Sequence, residues 1–342
     1  MTPVEFIAGL PKAELHMHIE GSIEPPLFIE LARRNGVTIA WQTEEELRAA
    51  YEFSDLQAFL NLYYDGCRVL VHPQDFHEVT REYLRRAHHE SVLRAELFLG
   101  PQGHTSRGIE LTTILEGVLG AMDEAERVDG ITSGLILVAQ RHRSEEEALL
   151  LLDNAMPWSD RLLGFGLGGA EQGHPPAKFT EFFRRCRERG FHVVAHAGEE
   201  GPAAYVREAV EILQVERIDH GNAAMQDESL LALLAERQLP LTLCPLSNLK
   251  LNVVKSIAAH PLKKMLDAGL CVTVNSDDPS FFGGYVNENY AVCQEALGLT
   301  RADLVALARN SVTSAFMPKA QRQAALDAIT LYDHQAPEWS LA

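Results

Sequence analysis

Short apolar runs rich in Val, Ile, Leu and Phe alternate with longer stretches of helical periodicity along this chain, and that alternation constrains the fold more than any other feature. Each run is strand-sized, and strands that alternate with helices build parallel sheets through βα units. Eight such runs are expected as strands, at Glu14–Ile19, Val92–Leu99, Ser133–Val138, Leu162–Leu167, His192–His196, Arg217–His220, Leu239–Leu243 and Cys271–Asn275. Helices are expected between them, among them Lys178–Arg189, Ala203–Leu213, Glu228–Arg237 and Pro261–Ala268. Eight strands with helical crossovers in 342 residues predict a single (β/α)8 TIM-type barrel. No GxGxxG opens a helix after an early strand, which disfavours a doubly wound dinucleotide-binding sheet.

The stretch 25–90 is too long for one crossover. It reads as a helical insertion after the first strand, with helices at Leu27–Arg34, Glu44–Tyr51, Leu56–Tyr64 and Asp75–His88. Such an insertion either packs against the barrel or, at the carboxy-terminal mouth, serves as a substrate lid. No repeat, low-complexity segment or linker breaks the chain, so residues 1–342 are expected to form one domain.

A formal net charge of −18 excludes a phosphate backbone as a natural partner, because nucleic acid is held by Lys and Arg. Five cysteines without a CxxC pair argue against a disulfide framework and fit a reducing, cytoplasmic setting. The sequence begins without a basic, apolar leader, and no apolar run reaches membrane-spanning length, so neither export nor a membrane anchor is expected.

Polar motifs close several of the strand-like runs. His16 and His18 stand at i and i+2, so they point to one side of a strand and can grip one metal ion. His196 follows the run HVVA, and Asp277 follows VTVNS, each where a buried strand gives way to a loop. Three imidazoles and a carboxylate suit zinc, and a zinc-bound water has a pKa of roughly 7. Glu199 is then either a proton donor or a cap on the following helix; His220 is either a proton acceptor or a further ligand. Asp278, beside Asp277, is read as accepting hydrogen bonds from substrate, and Asp219 as structural. LLGFGLGGAE carries no lysine to bridge two metals, which predicts one metal per chain. The HxE and PCxxC pattern of cytidine-type zinc deaminases is missing.

Five motifs in order resemble the adenosine and adenine deaminase family of the amidohydrolase superfamily: PKAELHMHIEGS from Pro11, HAGEEGP from His196, ERIDHG from Glu216, CPLSN from Cys244 and VTVNSDDP from Val272. The resemblance covers nearly the whole chain. It implies a mononuclear zinc barrel in which His16, His18, His196 and Asp277 bind the metal. It further implies that Glu199 protonates purine N1, that His220 orients the attacking water and moves its proton, and that Asp278 binds N7.

Substrate identity rests on other positions. Adenosine deaminases of this family usually carry aspartate two residues after the second histidine, placed to bind ribose, where this chain has Glu20; the longer acid fills sugar space. LYYDG around Tyr63, GHPPAKF from Gly173 and NSDDPSFFGGYVNENY from Asn275 resemble the bacterial and fungal adenine deaminase branch. The resemblance thus implies adenine as the small-molecule substrate, with adenosine or an N6-substituted aminopurine as alternatives. More remote readings are another amidohydrolase, which predicts two metals, or a non-catalytic zinc-stabilised scaffold.

The branch usually reads GLDSSE where this chain has Gly166–Glu171 as GLGGAE. The resemblance sets Gly169 and Glu171 at the purine edge. The glycines either satisfy backbone geometry or open a roomier pocket.

Overall fold

A computed structural model describes residues 1–339. Eight parallel strands run in chain order: β1 Lys12–His18, β2 Val92–Leu99, β3 Thr132–Gln140, β4 Leu162–Gly168, β5 His192–Ala197, β6 Arg217–His220, β7 Leu241–Leu243 and β8 Val272–Val274. Each pairs with the next in a (β/α)8 barrel. The seam between β8 and β1 closes at its mouth through Asp277, whose N–H donates to His16 O at 3.0 Å and whose carbonyl accepts from His18 N–H at 2.9 Å. Deeper in the seam, side chains serve the β1 backbone: Ala13 N–H donates to Ser311 Oγ, and Leu15 N–H to Asn275 Oδ1, both at 2.9 Å.

Strand alternation sorts the side chains. Ala13, Leu15 and Met17 join the main apolar core between sheet and helices, as do Val193, Ala195 and Ala197 of β5. The other face of each strand looks into the barrel. There a small apolar cluster of Phe98, Ile136, Val138 and Val194 occupies one side. Most remaining inward positions are buried and polar, including Lys12, Glu14, His16, Glu96, Arg217, Asp219 and Thr242.

The expected strands agree with the observed ones to within about two residues, the usual uncertainty of an element's ends. The helix expected over Ala203–Leu213 is α-helical only to Glu208 and continues as a π-type turn, Ala209–Leu213. Between β1 and β2 the four helices are Pro25–Arg34, Glu44–Ala49, Leu56–Cys67 and Pro73–His89. The last packs along helix Leu111–Asp129 and leads into β2, which is the place of the barrel's first crossover helix. The inserted portion is therefore 25–72. Within it Leu56–Cys67, capped by Asp55 through Ala58 N–H at 2.8 Å, lies across the mouth.

Among the described residues no helix is long and apolar enough to cross a membrane. All five cysteines are free thiols.

Candidate active site

β1 delivers His16 and His18 on one face, as the i, i+2 spacing predicts. His196 comes from β5 and Asp277 from the turn after β8. Their ligand atoms all lie within 4.8 Å of one another. Asp277 Oδ1 stands 3.1 Å from His16 Nε2 and 3.5 Å from His18 Nε2, and His18 Nε2 faces His196 Nε2 at 3.2 Å.

The neighbours set which nitrogens are free. Thr242 Oγ donates to Asp219 Oδ1 at 3.0 Å, so its oxygen is left to accept from His16 Nδ1–H, also at 3.0 Å. This fixes the His16 tautomer and leaves Nε2 a bare lone pair; that atom is buried and has no hydrogen-bond partner. Asp219 Oδ2 stands 3.4 Å from His196 Nδ1 and turns that ring in the same sense. A carboxylate behind a histidine is the usual support for a metal ligand. Burial depresses the His18 imidazole to about 3, so it too offers a lone pair at neutral pH. Three bare nitrogens converging on one carboxylate oxygen fit a divalent cation, and the donor set suits zinc.

Asp219, read from sequence as structural, therefore holds the rings behind the cluster. Its signal was the alternation of β6: Asp219 is the inward residue there, paired in register with His196. His220 would face outward by the same rule. It reaches the site because its backbone turns to φ 65°; Asp277, already of inward parity, also has a left-handed backbone, at φ 64°. Left-handed backbone at non-glycine residues costs about 1–3 kcal/mol and gathers at functional sites.

Glu199 Oε2 lies 3.5 Å from His220 Nε2, which is 3.8 Å from Asp277 Oδ2. Burial pushes the Glu199 carboxyl well above the usual carboxylate range, and the nearby charges of Asp277 and Glu171 add to this. Burial holds His220 well below the usual imidazole range. The site thus pairs a protonated acid with a neutral imidazole. Helix capping does not describe Glu199, because the following helix Ala203–Glu208 has Pro202 at its N-cap and receives no side-chain cap hydrogen bond.

Asp278 is buried, and its Oδ1 has no partner. A side chain at position 21 would meet that oxygen at 2.0 Å, which explains the glycine in the HIEGS motif. Asp278, Glu199 and His220 line a single cavity with the metal-type cluster at its floor. Leu56, Phe59, Leu60 and Tyr63 of the mouth helix, with Phe282, form an apolar roof. Glu200 ties that helix to the site by accepting from Leu56 N–H at 3.1 Å.

Two expectations change. Glu171 does not face the cavity: its carboxylate is consumed by four backbone N–H donors, those of Gly198, Glu199, Glu200 and Gly201. Glu20 is buried and pinned, accepting from Gly100 N–H at 2.9 Å and facing His104 Nε2 at 3.2 Å. Gly100, not Glu20, is the residue of that pair on the cavity wall. Cys244 forms a second close group with His220 and Asp277, but burial raises its thiol well above the usual range and keeps it protonated.

Of the GLGGAE glycines, Gly169 answers to backbone geometry and Gly168 to side-chain packing, and both line the cavity. Gly169 lines the cavity at φ 90°, and a Cβ at Gly168 would stand 2.8 Å from Val138.

The sequence profile of the adenosine deaminase family matches residues 11–332. An adenine deaminase of Rhodopseudomonas palustris is 57% identical over 324 residues, 94% of each chain. The crystal structure of an adenine deaminase from Arthrobacter aurescens superposes with a TM-score of 0.93 at 46% identity, covering 94% of this chain and 99% of that one. An amidohydrolase from Burkholderia ambifaria with bound zinc superposes with a TM-score of 0.90 at 29% identity, covering 98% and 94%. With the profile spanning almost the whole barrel and the motifs at its mouth, this chain belongs to the adenosine deaminase family, hydrolytic deaminases of the metal-dependent amidohydrolase fold.

Proposed function

We propose that the chain hydrolyses adenine to hypoxanthine and ammonia, with one zinc ion per chain held by His16, His18, His196 and Asp277. The observation that carries this reading is the convergence of the buried Glu199 and His220 and of Asp278, whose Oδ1 has no partner, on the cavity above those donors; burial holds the Glu199 carboxyl above its ordinary range and His220 below. Curated relatives of near-full coverage named adenine deaminase support the choice of base.

Each group then has one task. When bound by His16, His18, His196 and Asp277, a divalent ion would supply a water acidic enough to ionise near neutrality. His220 takes the proton of the attacking water and orients it toward purine C6. Glu199 donates its proton to N1, without which the ring is a poor electrophile. Asp278 accepts the hydrogen on N7 and fixes the ring in plane. The apolar roof excludes bulk water from the reacting face, and helix Leu56–Cys67 opens as the lid. Gly169 and Gly100 give the ring backbone-walled space. Glu20, locked between Gly100 and His104, shapes the wall on the side where the resemblance sets the sugar of a nucleoside. The five free thiols fit a reducing cytoplasm.

Steady-state assays on adenine, adenosine and N6-methyladenine, with zinc-loaded and chelator-treated enzyme, test the assignment. The expected result is the highest kcat/KM on adenine, loss of turnover on chelation, recovery with zinc and one metal per chain. Preference for adenosine would sink the free-base reading, and two metals per chain would favour another amidohydrolase chemistry.

A further inference from the structure

The loop that carries Glu199 is held by a buried ion pair that lies outside the cavity lining and meets the metal-type cluster only at the His196 backbone carbonyl. Glu171 follows β4 and is 1% exposed; Arg141 follows β3 and is fully buried. Glu171 Oε1 accepts from Gly198 N–H at 2.7 Å. Its Oε2 accepts from the N–H groups of Glu199 at 3.0 Å and of Glu200 and Gly201 at 2.8 Å. Arg141 Nη1 donates to His196 O at 2.7 Å, and Nε to His174 O at 2.9 Å, with Nη1 3.8 Å from Glu171 Oε1.

Successive backbone N–H groups that converge on an anion form a nest, a concavity that commonly binds a phosphate or other ligand anion. Here the anion is the protein's own carboxylate. Hydrogen bonds to an ionised acceptor are roughly twice as strong as neutral ones, and four of them fix four consecutive peptide planes. The sequence is shaped to admit this carboxylate. Gly198 sits at φ 72°, and a Cβ there would meet Val206 at 2.5 Å; a Cβ at Gly201 would stand 2.7 Å from the Glu171 carboxylate. The glycines of HAGEEGP are thus the cradle, and Glu171 is what the cradle holds.

We propose that Glu171, braced by Arg141, is a positioning residue of the reaction. It sets the direction of Glu199 through the backbone of residues 198–201 and makes no contact with substrate. This rests on the reading of Glu199 as the acid. A misplacement of a reacting group by about 1 Å costs about 10²-fold in rate, which is the size of effect expected when the cradle is emptied.

The test is a double-mutant cycle on the zinc-loaded enzyme with Glu171→Gln, Glu199→Gln and the pair, measuring kcat and KM for adenine and metal per chain. Glu171→Gln is expected to lower kcat about 10²-fold with KM and metal content unchanged, and to have no further effect in the Glu199→Gln background. If Glu171→Gln fails to fold, Gly201→Ala, whose methyl would meet the Glu171 carboxylate and the Tyr205 ring alike at 2.7 Å and which removes no polar group, carries the same test with the same expected result. A raised KM at unchanged kcat identifies Glu171 as a substrate contact and overturns the proposal. So do effects that multiply in the double variant. Full activity of Glu199→Gln alone is a different failure: it removes the acid assignment itself.

Discussion

Two layers of buried polar groups lie inside the same barrel, and they are treated in opposite ways. Toward the amino-terminal end, Arg217 donates to Glu96 Oε2 at 2.7 Å and to Leu15 O at 3.2 Å, and Lys12 Nζ reaches Ile7 O, Glu90 O and Asn287 Oδ1 within 3.1 Å. Glu14 accepts from Tyr83 OH at 2.6 Å and from Ser276 N–H at 2.9 Å. Toward the mouth, His16 Nε2, Asp278 Oδ1 and Glu20 Oε2 are as deeply buried and have no partner. Buried polar atoms in folded proteins are almost always paired. In the first layer most polar atoms are paired, Arg217 Nε being an exception, and charge links strands across the barrel. In the second, the proposed metal and substrate would supply the partners that His16 and Asp278 lack.

If this division holds, substitutions in the two layers have separable consequences. Glu199→Gln, at the mouth, is expected to reduce kcat by about 10² to 10⁴-fold while leaving thermal stability and metal content unchanged. Unchanged turnover would show that the mouth layer is not the reaction site and revive the scaffold reading.

Arg217→Met is the converse. It takes the closest cation from the buried Glu96 carboxylate, leaving it Phe316 N–H and Arg94 at 3.6 Å, and is expected to cost about 3–5 kcal/mol of stability in a denaturant titration, with metal content retained in the folded protein. Loss of metal without loss of stability would break the distinction between the layers.

Asp219→Asn tests the boundary, since Asp219 lies beside both Arg217 and His196. Weakening this support is expected to lower metal affinity about 10- to 100-fold in a chelator competition, less than removal of a ligand would. The gentlest test is pH. A carboxyl raised above its ordinary range stays protonated into the neutral region, so kcat/KM is expected to fall as pH rises through the Glu199 pKa. A rate that instead rose throughout the alkaline range would remove Glu199 as the proton donor.

Much of this site was legible in advance because its residue types have few other uses at strand ends. His16 and His18 show a shared face by spacing alone, and the apolar runs before His196 and Asp277 mark where strands end. The sequence could not tell which of two adjacent residues turns inward. His220 violates simple alternation through positive φ, a property of the folded turn rather than of residue type. Glu171 was misread for a related reason. Its neighbours in sequence are the cavity-lining glycines, but its partners belong to the loop after the next strand, and only the packed barrel brings those N–H groups to it. Asp219 was undervalued because its support of His16 and His196 runs through Thr242 and through register with β5.

By itself, then, the sequence determined the barrel and its family. Both are written in local periods and short motifs, and hydrophobic burial enforces such patterns independently of distant partners. Tertiary structure alone decided which acids face substrate and which are spent inside the protein. A carboxylate's role depends on whether backbone donors from other strands reach it first, and that competition exists only once the strands are assembled.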